Sequence, residues 1–556
     1  MADFSPDTLI KRQAALAADR SVWESHWQEI AELTRPMRAE FTGRISPGSK
    51  RTGKIYDGTA GMAADNLASG LWGLATNGGT EWFQLRHQLE ELNAIGDVAA
   101  WLDDCTRRMR DALNADGQLF YGQADEFIAD LVTFGTGVFY SEEQPAQGRM
   151  RYQCRHLAEC FIAENEAEIV DTLYRKFDWT ARQAARKWPG KVSAAVQRAA
   201  EKEPERKFPF LHAVLPRDDY DPRRTLSPQG KRWASYYVEI EGKTILSEGG
   251  YYEFPYQVAR WSKASRGLYG DSPAMLALPD IKMINAMSKA TIIGAQKRVD
   301  PALLAPDEGV IRGIRTAPGQ IVYGAVDQQG RQLVHPLQTG ADVNLGLELE
   351  DQRRTAIREA FFYSLMMMAG PPYRTATEVL IQQEEKMRVM GPQLARLQTE
   401  FLDPFIGRLF SVMFRANAFA PPPPVLSQYP TLSAEYVSPL ARAQKAQRGA
   451  ATVRALQAVQ PIAALDPSAM DVIDVDATVR DLVDAFGMPS KNLRDPKAVA
   501  QVRAQRQQAQ QLAMLADKAG SIGAGAKNLA AAGQTAVEMV GGGPAQQQQP
   551  APAAAA

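Results

Sequence analysis

Residues Tyr269–Val299 read YGDSPAMLALPDIKMINAMSKATIIGAQKRV. Ser272 before Pro273 makes an N-cap and first helical position: the serine oxygen can accept an orphan N–H, and the proline has no N–H to leave unpaired. The spacing predicts a helix to about Val299, disturbed at Pro279. A compact strand-and-turn segment follows, PGQIVYGAVDQQGRQLVHPL, in which Asp327 to Gly330 joins two short strands. A second helix is expected over about Leu345–Met368. The stretch SLMMMAGPPYRTATEVL, Ser364–Leu380, ends it in a methionine cluster, inserts a loop that Pro371 and Pro372 deny to helix, and reopens with a capping box of Thr375 and Glu378. The third helix, from about Ala376 to Asn417, would be about 60 Å long at about 1.5 Å per residue. Its apolar residues Met387, Met390, Leu394, Leu397, Phe401, Phe405 and Leu409 recur three and four apart, and Gly391-Pro392 and Pro404 should kink it. Helix, insert, helix, stiff loop and long kinked helix form the order on which the fold reading rests.

Working outward, residues 1–145 read as mostly helical. Ser5 and Pro6 open a helix whose apolar face is Trp23, Trp27, Ile30 and Leu33. TAGMAADNLASGLWGLATNGG, VAAWLDDCTRRMRDAL and ADEFIADLVTFGTG give three more. Residues 150–265 change character, with Tyr-, Val- and Ile-rich runs, a hairpin signal at Glu241-Gly242, and one interrupting helix opened by Thr180. FAPPPPVLSQYP is a linker. Residues 438–488 read as helical, Asp495-Pro496 caps a Gln-rich helix to about Lys518, and 519–556 is low-complexity tail expected to be disordered. The fold class is α+β, mainly helical.

A chain of 556 residues has room for two to four domains. Its 63 Lys and Arg nearly balance 64 Asp and Glu, which argues against a broad grip on duplex DNA. Three cysteines, Cys105, Cys154 and Cys160, do not make a disulfide framework and suit a reducing compartment. The start, MADFSPDTLIKRQ, carries charges where a signal peptide needs an apolar core, and no apolar run reaches the roughly 20 residues of a membrane helix.

Several motifs hint at chemistry and fall short of it. Gly48, Gly53 and Lys54 in GSKRTGKI match a phosphate-binding loop, but Ile55 stands where a Mg²⁺-holding hydroxyl belongs, and neither a buried strand before nor a helix after is expected. Gly135 in GTGVFY lacks a dinucleotide-binding unit. Asp471, Asp474 and Asp476 lack the glycine and glutamate of a calcium loop and read as helix-capping acids. Cys154, His156 and Cys160 lack a fourth zinc ligand. The five histidines are scattered. No catalytic residue, metal site or cofactor is assigned.

The order of segments resembles the portal proteins of tailed bacteriophages, and the local sequence is similar to the head-to-tail connector family of short-tailed phages. The resemblance covers roughly residues 20–450 and rests on WESHWQEIAELTRP, YDGTAGMAADNLASGL, EWFQL, FGTGVFY, YGDSPAMLALPDIKMINAM, RTATEV and YVSPLARAQKAQ. It implies a ring, typically of twelve subunits, at one capsid vertex, with double-stranded DNA pumped in by a separate terminase and later ejected. It implies a wing over 1–271, stem helices at 272–299 and 345–368, a clip at 300–344, a tunnel loop at 369–375, a long kinked wing helix at 376–417, a wing–crown connection at 418–488 and a crown helix at 489–518. Met368, Ala369, Gly370, Pro371, Pro372, Tyr373 and Arg374 would then line the channel. Lys297, Arg298 and Arg374 would steer DNA, and Tyr323, Asp327, Gln328, Gln329, Gly330 and Arg331 would carry clip docking. The implied partners are further copies of the chain, the terminase large subunit, major capsid and scaffolding proteins, a tail adaptor and the transiting DNA, with no membrane. The implied location is the virion, and the host cytoplasm during assembly.

Two other readings stay open on the residues alone. One is a nucleotide-hydrolysing packaging motor using Gly48 to Lys54. The other is a virion scaffold protein that never meets DNA, with Ser364–Leu380 an ordinary helix corner.

Overall fold

The computed structural model describes residues 4–43, 46, 48–79, 81–93, 95–115, 119–144, 149–224, 227–304, 319, 321, 325–327, 329–337, 343–366, 388–427, 432–436, 449–459, 473–485 and 499–511. It is mixed helix and sheet, as the sequence implies. Two compact units are distinguished, one of Met1–Gln88 with Trp101–Gly487 and a second of Leu89–Ala100 with Met488–Ala556. In the second, residues 499–511 are helical.

In the first unit, α1 (Pro6–Thr34) starts where expected: the Ser5 side chain accepts from the Thr8 N–H. Helices α2 (Thr59–Ala75), α3 (Gly96–Asn114, of which Trp101–Asn114 belong to this unit) and α4 (Phe120–Phe134) follow, with strand β1 (Phe83–His87) between the first two. Two antiparallel sheets come next. Strands β2 (Thr136–Gln144), β3 (Arg149–Arg155) and β9 (Tyr256–Arg260) form one, in the order β3-β2-β9. The other is a meander of β4 (Cys160–Glu164), β5 (Val170–Thr180), β6 (Lys207–Pro216), β7 (Trp233–Glu239) and β8 (Thr244–Tyr251).

Thr180 opens α5 (Ala181–Lys187), as expected, and its side chain and that of Gln183 complete a capping box. The single interrupting helix expected there is corrected to two, because α6 (Ala194–Lys202) follows from its own N-cap, Ser193. The two pack Ala184, Trp188 and Val196 against Phe177 and Phe210 on one face of the five-stranded sheet. Leu9 of α1 belongs to the core with Leu211, Ala213 and Tyr236 on the other. Both faces of β6 are therefore covered, which is why Phe208–Leu215, apart from His212, reads as an apolar run rather than an alternating one.

Helix α7 (Pro273–Val299) runs continuously through Pro279. Strands β10 (Leu303–Leu304) and β11 (His335–Pro336) pair antiparallel beyond it. The second helix of this region, α8 (Val343–Ala360), is shorter than expected. Phe362 takes a left-handed conformation, φ 52°, which interrupts the chain before a last helical turn at Tyr363–Met366. Tertiary packing supplies the reason: Phe361 is fully buried and the Phe362 ring faces Trp261 at 6.4 Å.

From residue 388 the third helix is resolved into pieces: α9 (Gly391–Leu397), a π-turn at Gln398–Leu402, and α10 (Asp403–Arg415). The Asp403 N–H reaches back to Gln398 O, which widens the ladder one residue before Pro404, so the proline ring is accommodated without a break. Asn417, φ 53°, ends the helix with the paired bonds of a Schellman motif, Asn417 N–H to Phe414 O and Ala418 N–H to Met413 O. Strand β12 (Leu432–Tyr436) then pairs with β1. Helix α11 (Val475–Ala485) starts at Asp474, whose Oδ1 accepts from Asp476 and Ala477 N–H, a helix cap.

Candidate functional site

Helices α7 and α8 and the segment between them contain the residues singled out in the sequence. Ser272 caps α7 by accepting from Met275 N–H at 3.0 Å, and its own hydroxyl donates to Thr133 O at 2.8 Å. The first half of α7 is rooted in the core through Ala274, Ala277, Leu278, Ile281 and Ile284. After buried Ser288 the helix emerges, and Ile292, Ile293, Lys297, Arg298 and Val299 are exposed. Arg353 of α8 pairs with Asp280 of α7 at 2.9 Å. Arg354 bridges Glu350 to Asp57, whose carboxylate also caps the start of α2 through Thr59 N–H.

Lys297 and Arg298 lie in the last turn of α7, where a cation is favoured by the helix dipole. Neither makes an ion pair with a described residue. Beyond them, Val326 bridges Gln332, and Asp327 organises the turn between. Its Oδ1 accepts from Gln329 N–H at 2.9 Å and Arg331 N–H at 2.8 Å, and its Oδ2 pairs with Arg331 Nε at 2.8 Å. The Arg331 backbone N–H chiefly holds the Asp327 carboxyl below its usual range. Tyr323 and Gln328 lie outside the described residues, as do the loop Met368 to Arg374, the capping box of Thr375 and Glu378, Met387, Asp471, Asp495-Pro496 and the tail 519–556.

The segment from Met390 to Arg415 is clamped hard. Phe401 stacks on Phe127 at 4.3 Å, and Phe405 on Phe120 at 4.7 Å. Glu400, on the π-turn, accepts from Arg260 N–H at 2.8 Å and from its guanidinium at 2.7 Å. Buried Arg408 reaches Ser141, Glu143 and Glu253. Every apolar position from Met390 to Leu409 picked out by the spacing is buried.

Comparison with known proteins gives this arrangement a context. A family described as bacteriophage head to tail connecting protein matches residues 6–493. The chain belongs to that family. The portal protein of Salmonella phage epsilon15 is 29% identical over 543 residues, 95% of this chain and 96% of that one. The probable portal protein of Bordetella phage BPP-1 is 32% identical over 537 residues, 93% of this chain and 95% of that one. A chain from the virion of a native gene transfer agent particle aligns over 77% of this chain and 95% of its own length at 12% identity, with a TM-score of 0.34, too slight a likeness to argue from. Connecting head to tail as a portal is thus the function of this protein in outline.

The motifs that suggested other chemistry have structural work in this connector. Lys54 Nζ pairs with Glu32 at 2.6 Å, and Arg51 pairs with Glu40 at 2.6 Å. Asn285 of α7 accepts from Tyr56 N–H and donates to Lys54 O, so the basic loop is strapped to α7. The next helix starts at Thr59, not at Lys54. Cys154, His156 and Cys160 do not converge: the Cys154 thiol faces Asp130, His156 accepts from Ala158 N–H, and Cys160 is in the core. Among the described residues no cluster of His, Cys, Asp and Glu suits a metal ion, and no helix is long and apolar enough to cross a membrane.

One relationship was missed from the sequence. FGTGVFY and YGDSPAM meet: Gly135 ends α4 in the left-handed region, φ 74°, and Gly270 lies directly against it. The Gly270 N–H donates to Thr136 Oγ1 at 2.9 Å. The paired glycines inside apolar runs were the available signal.

Proposed function

We propose that the chain assembles into a closed ring, of twelve subunits on the family's pattern, around a channel through which double-stranded DNA is packaged and ejected. The observation that carries this reading is the emergence of α7. Leu276, Met283, Ile292, Ile293 and Val299, with Leu347 and Leu349 on α8, are exposed in the single chain. Apolar residues on paired helices need a covering surface, and a neighbouring copy supplies one.

In this reading 1–271 is the wing, 272–299 and 345–368 are the stem, 300–344 is the clip, 369–375 is the tunnel loop, 376–417 is the returning wing helix, 418–488 connects wing to crown, and 489–518 is the crown helix. Lys297, Arg298 and Arg374 steer DNA. The near-balance of 63 basic and 64 acidic residues suits a conduit, because affinity grows with each phosphate neutralised and a tight grip would stop sliding. The Asp327–Arg331 turn is a docking element for the terminase large subunit and then the tail adaptor, while capsid and scaffolding proteins surround the ring. The protein performs no catalysis, and it passes from host cytoplasm into the virion. Light scattering on the purified chain tests assembly: a species near twelve times 61.1 kDa is expected, and a monomer at working concentration overturns the reading.

A further inference from the structure

Between the two sheets lies a cavity of about 100 Å³. Arg155 of β3 and Tyr256 of β9 line it from one sheet, and Arg175, His212 and Tyr237 line it from the other. Its charge is unbalanced. Arg151, Arg155, Arg175 and Lys187 face Glu142, the one acid on the wall, and Glu159 pairs with Arg175 from outside at 2.8 Å. Two acids against four cations leave an excess of two positive charges.

Arg155 is the cation of this set with a buried, unpartnered nitrogen. One of its terminal nitrogens donates to Gln153 Oε1, and its guanidinium lies 5.2 Å from the centre of the Tyr140 ring. It forms no ion pair with a described residue, and its Nε is buried without a hydrogen-bond partner. An unpaired buried donor on a cation is costly, and a charge-assisted acceptor would relieve it. Burial and the neighbouring Arg175 push the Arg155 pKa down, as expected for a cation missing its counter-ion.

We propose that this cavity binds a tetrahedral oxyanion, phosphate or sulfate, free in solution. Size limits the ligand. An apolar cavity of roughly 150 Å³ admits benzene, whereas sites for drug-sized molecules run from about 300 Å³, so a single phosphate fits and a nucleotide does not. Neutral donors are also available. His212 contacts the Tyr256 hydroxyl through Nδ1 at 2.8 Å and the Ser235 hydroxyl through Nε2 at 3.0 Å. In the tautomer with hydrogen on Nδ1, the Tyr256 oxygen accepts, and its own hydrogen is free for the anion. The bound anion joins β3 and β9 to β5 and β7, fastening the two sheets together.

The test is calorimetric titration of the full-length protein with potassium phosphate, at ionic strength held constant with chloride. Saturable binding of one phosphate per chain is expected, competed by sulfate and not by chloride. Arg155→Met should weaken it at least tenfold. Lys187→Gln alters an exposed side chain and should fold normally, so it keeps the test alive if Arg155→Met does not; a severalfold loss is expected. No saturable binding, or equal affinity in Lys187→Gln and the parent, overturns the proposal. Binding to the single chain that vanishes in assembled particles also overturns it, since a neighbour's carboxylate would then be the occupant.

Discussion

Gly135 and Gly270 stand back to back: a Cβ on Gly135 would lie 2.1 Å from Gly270 O, and a Cβ on Gly270 would lie 2.3 Å from Gly135 O. The contact fixes the point from which α7 leaves the core, since Ser272, two residues on, caps that helix and holds Thr133 O. Gly135→Ala adds left-handed strain of about 1–2 kcal/mol to the backbone clash, whereas Gly270→Ala meets the clash alone. Both variants should lose more than about 2 kcal/mol of stability, with Gly135→Ala the worse. Urea unfolding of the full-length protein measures this, and parent-like stability in both would show that the contact is not a constraint.

His212 gives stability a pH dependence. Burial, then the charges of Arg175 and Arg155, hold its pKa well below the ordinary value of 6.5. Above that value the ring is neutral in both states. As pH falls below it, the unfolded chain takes a proton that the folded chain refuses, so stability drops by up to about 1.4 kcal/mol per pH unit. His212→Gln retains groups for Tyr256 and Ser235 and should remove this part of the slope. A smaller slope remains, because burial also lowers the pKa of His156. Unfolding free energies at about pH 7 and pH 5.5 compare the two; an unchanged slope in His212→Gln contradicts the assignment.

Lys54 should prove dispensable. In its ion pair with Glu32 the lysine is exposed and the carboxylate half-buried, and the pair is worth at most about 1 kcal/mol. Lys54→Ala is expected to keep nearly the parent's thermal stability, and neither protein should bind ATP. Stoichiometric ATP binding that requires Lys54 would revive the motor reading.

What the sequence reveals here follows the range of the forces involved. Ser272-Pro273, Ser5-Pro6 and the Thr180 capping box act within one helical turn, so those helix starts are legible. The buried stripe from Met390 to Leu409 is legible because one helix face meets one core. Strand β6 is not, because burial on both faces erases alternation. The break at Phe362 depends on seating Phe361 in a distant core and facing Trp261, and the Gly135–Gly270 contact depends on residues 135 apart in the chain. Pro404 announces a kink, but relief by a π-turn rests on geometry that no residue code states. Lys297 and Arg298 fall at an exposed helix end, where their spacing placed them, while most of the proposed channel-facing set lies outside the described residues.

The proposed tunnel loop, Ala369 to Arg374, should separate assembly from DNA passage. Pro371→Ala with Pro372→Ala should loosen it at about 1 kcal/mol per site, through the entropy of the unfolded chain. Arg374→Glu reverses a charge that the proposed channel repeats in every subunit. Both variants should assemble normally and package or retain less DNA. Nuclease-protected DNA in assembled heads is the readout, and parent-like amounts in both variants would remove the loop from the channel.

Electron microscopy of the purified full-length protein tests the ring most directly. The account predicts closed particles of uniform subunit number with an open axial hole, twelve-fold if the family pattern holds. Monomers, open filaments or closed particles without an axial opening would contradict it.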